Sequence, residues 1–466
     1  MPPNVPLIND RLVIWVVAEL HLLFAAFVLG APIFVVISEY LGIRTRDSRY
    51  ERLAQETMKI VAISYSLTAL FGGAMTFVLV GRYQELSNFL FGRLYPVFGF
   101  YAVLLLVEAG LMYVYWYTWD ALSQRKAAHI SIGVALNVVG TAVMFLMNGV
   151  GSFMLTPPDS PETAGVWQML NNATWSGLNL HRFIANISFG GFMVALFAAL
   201  MFLTSKREED KAFYDWMGYI GNFIGVAALI ALPVAGYIYT KEIFAYNATI
   251  STLLMADKLS WFFVIQGALV GMLFLGAMYY MWLSMRRIEG GLRFQTYIRA
   301  AFWVSLIGLA IWLTPQNFLP SLTAKPDGPI AEVTIPERAI FLGLMPSKGL
   351  AVSAIVVVTA FIYFLYRQAI ATGRMVWGQI DTRAQLVLTF LPGVAVYTMV
   401  FMGAIRELAR GEWHIFQFMP DKTANSFLTP LGYTAIVAGI IVLIFFLLMG
   451  AIFWLGFKVN HQESAP

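Results

Sequence analysis

An all-α integral membrane protein, a bundle of about eleven transmembrane helices, is the fold class that three observations predict. The 466 residues are 59% apolar and only 12% charged, a balance that leaves too little polar surface to face water. The apolar residues fall into runs of about 20, the length that crosses the hydrocarbon of a bilayer. Lys and Arg sit in short segments between the runs and form no single basic face, and the net charge is only +4, so no nucleic-acid partner is implied.

The runs follow one another along the chain. The first, Leu12 to Leu41, comes after MPPNVPLIND, which lacks the basic n-region of a cleavable leader, so it is expected to be retained as a span. Ile60 to Val80, Val97 to Trp119 and Ile130 to Asn148 follow, separated by Arg- and Lys-bearing connections. After the long polar segment Gly149 to Leu180 come Ile184 to Leu203, Met217 to Tyr239, Leu259 to Met285 and Ala300 to Leu319. Leu350 to Tyr366, Leu386 to Ile405 and Leu431 to Phe457 complete the set.

Placing the N-terminus outside puts 18 of the 30 basic residues, including every dense cluster, on the cytoplasmic side. The positive-inside rule therefore predicts an outer N-terminus and a cytoplasmic C-terminus, as an odd number of spans requires. The Pro-rich outer segments Gly149 to Leu180 and Pro320 to Ser347 read as ordered lids or docking surfaces. The absence of cysteine excludes disulfides, thiolate metal sites and a C-x-x-C-H haem attachment within these residues.

Polar side chains inside spans mark function, because each costs free energy unless it has a partner. His21, in HLLFAAFVLG, lies in the outer half of the first span with only Glu19 as a charged neighbour. His181, in NLHRFIANISFGG, opens the fifth span at the outer face, and Glu407, in FMGAIRELARGEWHIF, ends the tenth there, with Arg406, Arg410 and His414 nearby. Imidazole and carboxylate groups on bundle helices are usual axial ligands of haem iron, which makes His21, His181 and Glu407 candidate metal ligands. His181 also reads as a helix-end capping residue, and Glu407 as half of a structural ion pair. Glu108, in YAVLLLVEAGLMYVYW, is a deep carboxylate that reads as a proton relay or as a structural hydrogen-bonding group. His129, at the inner end of the fourth span, is a candidate entry point for protons and otherwise an interfacial residue. The aromatic residues and the methionines fit helix packing and interfacial belts and discriminate nothing.

RLVIWVVAELHLLFAAFVLG, Glu108 ahead of the Trp119 and Asp120 pair, KAAHISIGVALN, FLMNGVGSFMLTPP, the His181 span and GAIRELARGEWHIFQFMPDKTANSFLT occur in that order. Together they resemble subunit I of the cytochrome bd quinol oxidases, over about the first 240 residues and the last 60. The resemblance implies three segments: residues 1–240 with the haem and proton-path residues, 241–346 with two extra helices and an outer loop in place of the quinol loop, and 347–466 with the GAIRELARGEW segment. It implies haem b, in two or three copies, with haem d left open. His21 and Glu407 would be ligands of a high-spin haem pair, and His181 the ligand of a low-spin haem b. Arg410 would neutralise propionates or the buried carboxylate, and Glu108 would deliver protons.

Three departures accompany it. The family's second acidic residue of the third helix falls on Phe100, the position expected for the low-spin haem's methionine offers Lys348 and Leu350 with Met345 nearest, and the quinol loop is replaced. The expected donor is therefore a quinol bound elsewhere or a c-type cytochrome at the outer face, with a terminal acceptor for which oxygen is one candidate. The expected partners are a subunit II-like membrane chain and the bilayer of a bacterial or archaeal cytoplasmic membrane. The rival expectation is a haem-poor proton-conducting or transporter-like subunit, with Glu108 and His21 as its relay.

Overall fold

A computed structural model describes residues 10–248, 250, 259–314, 346–421 and 431–463. Eleven helices among them are long and apolar enough to cross a membrane, as the apolar runs predict. α1 (Asp10–Thr45) carries Asp10 in its first turn and Arg44 in its last, charges that complement the helix dipole. Its Pro32 has no N–H, so the Val28 carbonyl one turn earlier loses its helical donor. α2 (Ser48–Arg82) is capped by Asp47, whose carboxylate accepts from the Arg49 N–H at 3.0 Å. α3 (Gln84–Tyr117) is irregular at Leu94, just before Pro96, where the proline removes a backbone donor.

α4 (Lys126–Phe153) leads into the segment read as an ordered lid, which contains the short helix α5 (Val166–Leu170). Then come α6 (Trp175–Thr204), α7 (Glu208–Tyr246), α8 (Ser260–Ser284), α9 (Gln295–Leu313), α10 (Pro346–Thr372) and α11 (Thr382–Ala409). A hairpin of β1 (Trp413–Ile415) and β2 (Met419–Pro420) precedes α12 (Leu431–Glu463). Most helices outrun their apolar runs, because bilayer thickness limits the hydrophobic stretch and not the helix. The first turns of α2, for example, are polar and braced by an Arg52–Glu56 pair at 2.8 Å.

The chain forms two compact units, residues 1–190 with 410–466 and residues 191–409. In the first, α1 is the central helix. Its Phe24 packs between Phe71 of α2 and Phe445 of α12, with ring centroids 6.0 and 4.9 Å away. α1 also crosses α6 in backbone contact: a Cβ on Gly30 would lie 1.8 Å from the Asn186 carbonyl oxygen, and one on Gly190 would lie 2.9 Å from the Ala31 nitrogen. Only glycine permits that approach, the small-residue packing usual between membrane helices.

The second unit has a polar interior. Arg287, fully buried, pairs with Asp215 of α7 and donates to the Tyr366 hydroxyl at 2.8 Å. The other Asp215 oxygen accepts from the Gly378 N–H at 2.9 Å, which ties the turn after α10 to α7.

Candidate functional site

The crossing of α1 and α6 places two of the predicted residues at related depths. As the first and fifth alternating spans, the two helices run parallel. His21 and His181 each precede their crossing glycine by nine residues, a rise of about 13.5 Å, so both lie toward the same end of the first unit. His21 Nδ1–H donates to the Thr68 carbonyl of α2 at 3.0 Å. Its ring rests over Gly72, where a Cβ would stand 3.0 Å from Cε1. A carbonyl bound to one ring nitrogen fixes the tautomer, leaving the other nitrogen with its lone pair, which is the usual support of a metal-ligating histidine.

Arg182 follows His181 on α6. Arg182 donates to Asn148 Oδ1 of α4 at 2.8 Å, and Asn148 in turn donates to Asn179 Oδ1 at 2.8 Å. The network holds a cation within the bundle. Sequence reasoning passed over Arg182 and Asn148, although an Arg beside a candidate ligand at the head of an apolar run was the available signal.

Arg410 has a definite structural role. It is buried and donates to the His414 carbonyl at 2.7 Å, bracing the β1–β2 hairpin. His414 lies 3.4 Å from Asp421, which also pairs with Arg11 at the start of α1, and its ring meets Tyr83 edge-on at 5.2 Å. One turn along α1 from Arg11, the Trp15 indole N–H is buried with no hydrogen-bond partner among the described residues. Glu407 is in the last turn of α11 and belongs to the second unit. Met345 lies outside the described residues, whereas Lys348, at the expected position, is buried in α10. Phe100, where the resemblance places an acidic group, is exposed on α3.

Glu108 is 4% exposed, and its carboxylate lies against α4, where a Cβ on Gly140 would be 2.7 Å from Oε1. A small cavity lined by Val28, Pro32, Glu108, Asn137 and Gly140 adjoins it, with room for about one water molecule. Asn137 Nδ2 donates to the Pro32 carbonyl at 3.1 Å and to the Gly133 carbonyl at 3.0 Å. Glu108 and Asn137 line the space together with Val28 and Pro32, so the cavity is partly polar as well as small.

His129 is not a surface side chain. It is fully buried, with Nδ1 2.7 Å from Glu39 Oε1 of α1 and Nε2 donating to the Tyr115 carbonyl of α3 at 2.8 Å. The Tyr115 hydroxyl donates to Glu39 Oε2 at 2.8 Å. Glu39 was missed because it closes the first apolar run, where a carboxylate reads as a helix-end charge. Its spacing of 18 residues from His21 was the signal, since five full turns put both on one face of α1.

Among the described residues no three His, Asp or Glu side chains converge as a metal cluster. A haem does not need one, because the porphyrin supplies four ligands and the protein only axial groups. The oriented imidazole of His21, the Arg182 cation and the unpartnered Trp15 N–H are donors of the kinds that iron and propionates take, so the residues present fit that group.

Comparison with known proteins supports the same frame. Residues 10–249 match the family described as cytochrome bd terminal oxidase subunit I, so the GAIRELARGEW segment lies beyond the matched part. A Bacillus subtilis (strain 168) protein carrying the provisional name cytochrome bd menaquinol oxidase subunit I is 24% identical over 226 residues. That alignment covers 46% of this chain, and the chain spans about half the length of the relative, 48%. The solved structure of the bd oxidase from Geobacillus thermodenitrificans shares the fold, with a TM-score of 0.52 and 14% identity over 99% of this chain and 100% of that one. With more than half of its residues inside the family match, this chain belongs to the cytochrome bd terminal oxidase subunit I family.

Proposed function

We propose that the chain is the haem-b-binding, electron-transferring subunit of a respiratory terminal oxidase in a bacterial cytoplasmic membrane. One observation carries the reading: His21 is held through Nδ1 by the Thr68 carbonyl, so Nε2 keeps its lone pair for iron. In this reading His21 and Glu407 hold a high-spin haem pair and His181 a low-spin haem, with Met345 the nearest thioether for its other side. Haem, when bound, supplies reversible one-electron transfer.

The chain's own groups do the rest. Arg182 and Trp15 offer charge and a hydrogen bond to carboxylates, and Arg410 keeps the hairpin after α11 in place. Glu108 receives protons and passes them on through its water-sized cavity. With the N-terminus outside, the histidines lie toward the outer face and His129 toward the cytoplasm. The name of the Bacillus relative supports a quinol as electron donor, whereas the comparisons lend no support to a c-type cytochrome. Family membership supports a subunit II-like partner and oxygen as acceptor.

The test is optical. Purified wild-type protein should show a Soret band, and His21→Ala should lose the high-spin component while remaining inserted in the membrane. Superimposable dithionite-reduced spectra of the two proteins would refute the assignment of His21.

A further inference from the structure

The Glu39, Tyr115 and His129 cluster lies apart from the haem-ligand candidates, and the function proposed above does not use Glu39. The three side chains come from α1, α3 and α4, and none is more than 1% exposed. The Tyr115 ring stacks on the His129 ring at 4.4 Å, and Trp119 meets His129 edge-on at 4.8 Å. Lys126 lies 5.7 Å over Trp119 and is itself paired with Glu51 of α2. No other ionisable group is recorded in contact with the pair among the described residues.

The hydrogen bonds fix how many protons the pair carries. A carbonyl accepts only, so His129 Nε2 must be protonated to bond the Tyr115 oxygen. Tyr115 uses its hydroxyl proton on Glu39 Oε2. The short contact between Oε1 and Nδ1 then needs one proton. With that proton on nitrogen the pair is carboxylate and imidazolium; with it on oxygen both groups are neutral. Either way the pair is neutral overall and holds one transferable proton. A buried ion pair contributes little net stability compared with apolar packing, so stability gives no sufficient reason for keeping one here.

The cluster also lines up with Glu108. The Tyr115 ring lies against Gly133 of α4, and the Glu108 carboxylate against Gly140. Tyr115 follows Glu108 by seven residues on α3, and Gly133 precedes Gly140 by seven on α4, a separation of about 10.5 Å along the same seam. Asn137 and the polar cavity lie between the two levels.

We propose that Glu39 and His129 form a one-proton relay, oriented by Tyr115, that delivers protons along the α1, α3 and α4 seam to Glu108. This rests on the reading of Glu108 as a proton carrier. In the transfer the Nδ1–H bond breaks as the Oε1–H bond forms; the Oε1 proton then passes to water in the seam and to the Glu108 carboxylate. Glu39 is left as carboxylate and His129 neutral, and the pair regains one proton from the cytoplasmic side.

Glu39→Gln tests the relay with little change of shape. The amide N–H donates to Nδ1 and the amide oxygen accepts from Tyr115, so both hydrogen bonds survive and only the transferable proton is lost. Infrared difference spectra of the purified full chain across a pH step should show a carboxyl or carboxylate band of Glu39 in wild type that is missing in Glu39→Gln. Proton uptake during turnover should slow at least tenfold, with the haem spectrum unchanged. An unaltered carboxyl band, or uptake within twofold of wild type, would overturn the relay. Should Glu39→Gln fail to fold, Tyr115→Phe is the second variant: it removes a donor to the carboxylate and should strengthen the protonated carboxyl band. An unchanged band in Tyr115→Phe would equally overturn the proposal. A wild-type protein without a Soret band would refute the haem assignment instead and leave the infrared comparison standing.

Discussion

A single methyl group at Gly140 tests the seam around Glu108 without removing any titratable group. In Gly140→Ala the new Cβ would stand 2.7 Å from Glu108 Oε1 and 2.9 Å from Leu29 Cδ2. Ordinary contact begins at 3.4 Å, so the carboxylate must retreat by about 0.7 Å. The space open to it is the cavity with room for about one water, so the retreat fills that space. Overpacking a buried site costs about 1–3 kcal/mol, and because both clashing atoms end flexible side chains, a value near 1 kcal/mol is expected. Thermal unfolding of the detergent-solubilised protein measures it, in wild-type and Glu108→Ala backgrounds. Removing the carboxylate should relieve most of the cost, giving a coupling of about 1 kcal/mol between the two positions. If Gly140→Ala costs the same in both backgrounds, within about 0.3–0.5 kcal/mol, the contact described here is not the one that matters. The variant should also slow proton uptake while leaving haem absorption unchanged.

Two further outcomes follow from the ionic contacts. Arg287→Met leaves Asp215 buried without its cation and should destabilise the protein by about 3–5 kcal/mol, most of it recovered in an Asp215→Leu, Arg287→Met double variant; a single variant as stable as wild type would refute the role of the pair. Asp47 lies between α1 and α2, and its hydrogen bond to Arg49 holds its carboxyl below the ordinary aspartate value of 3.8. A depressed folded pKa gives stability that is present above 3.8 and lost as pH falls through the folded value. Asp47→Ala should therefore cost about 0.5–2 kcal/mol near neutral pH, and the gap to wild type should narrow in acid; a constant gap from pH 7 to pH 2.5 would show that the carboxylate charge is not involved.

The sequence by itself determined the fold class and the number of spans, because the bilayer imposes a length and an apolarity that a one-dimensional pattern records. It also singled out His21, His181, Glu108 and Glu407, since an ionisable group inside such a run stands out against its neighbours. The expected topology, with an outer N-terminus, came from loop charge, which is again local in sequence. Partnership was not legible. The burial of His129 depends on α1 and α3, and Glu39 drew no reading because nothing within α1 announces an acceptor for His129. Arg410, read for its charge, spends a hydrogen bond on the β1–β2 hairpin, which its own helix could not reveal. Which two helices may touch was decided by Gly30 and Gly190, and which carboxylate gains a cavity was decided by Pro32 and Gly140. These are properties of pairs of helices, and they exist only when residues far apart in the chain approach to within a few ångströms.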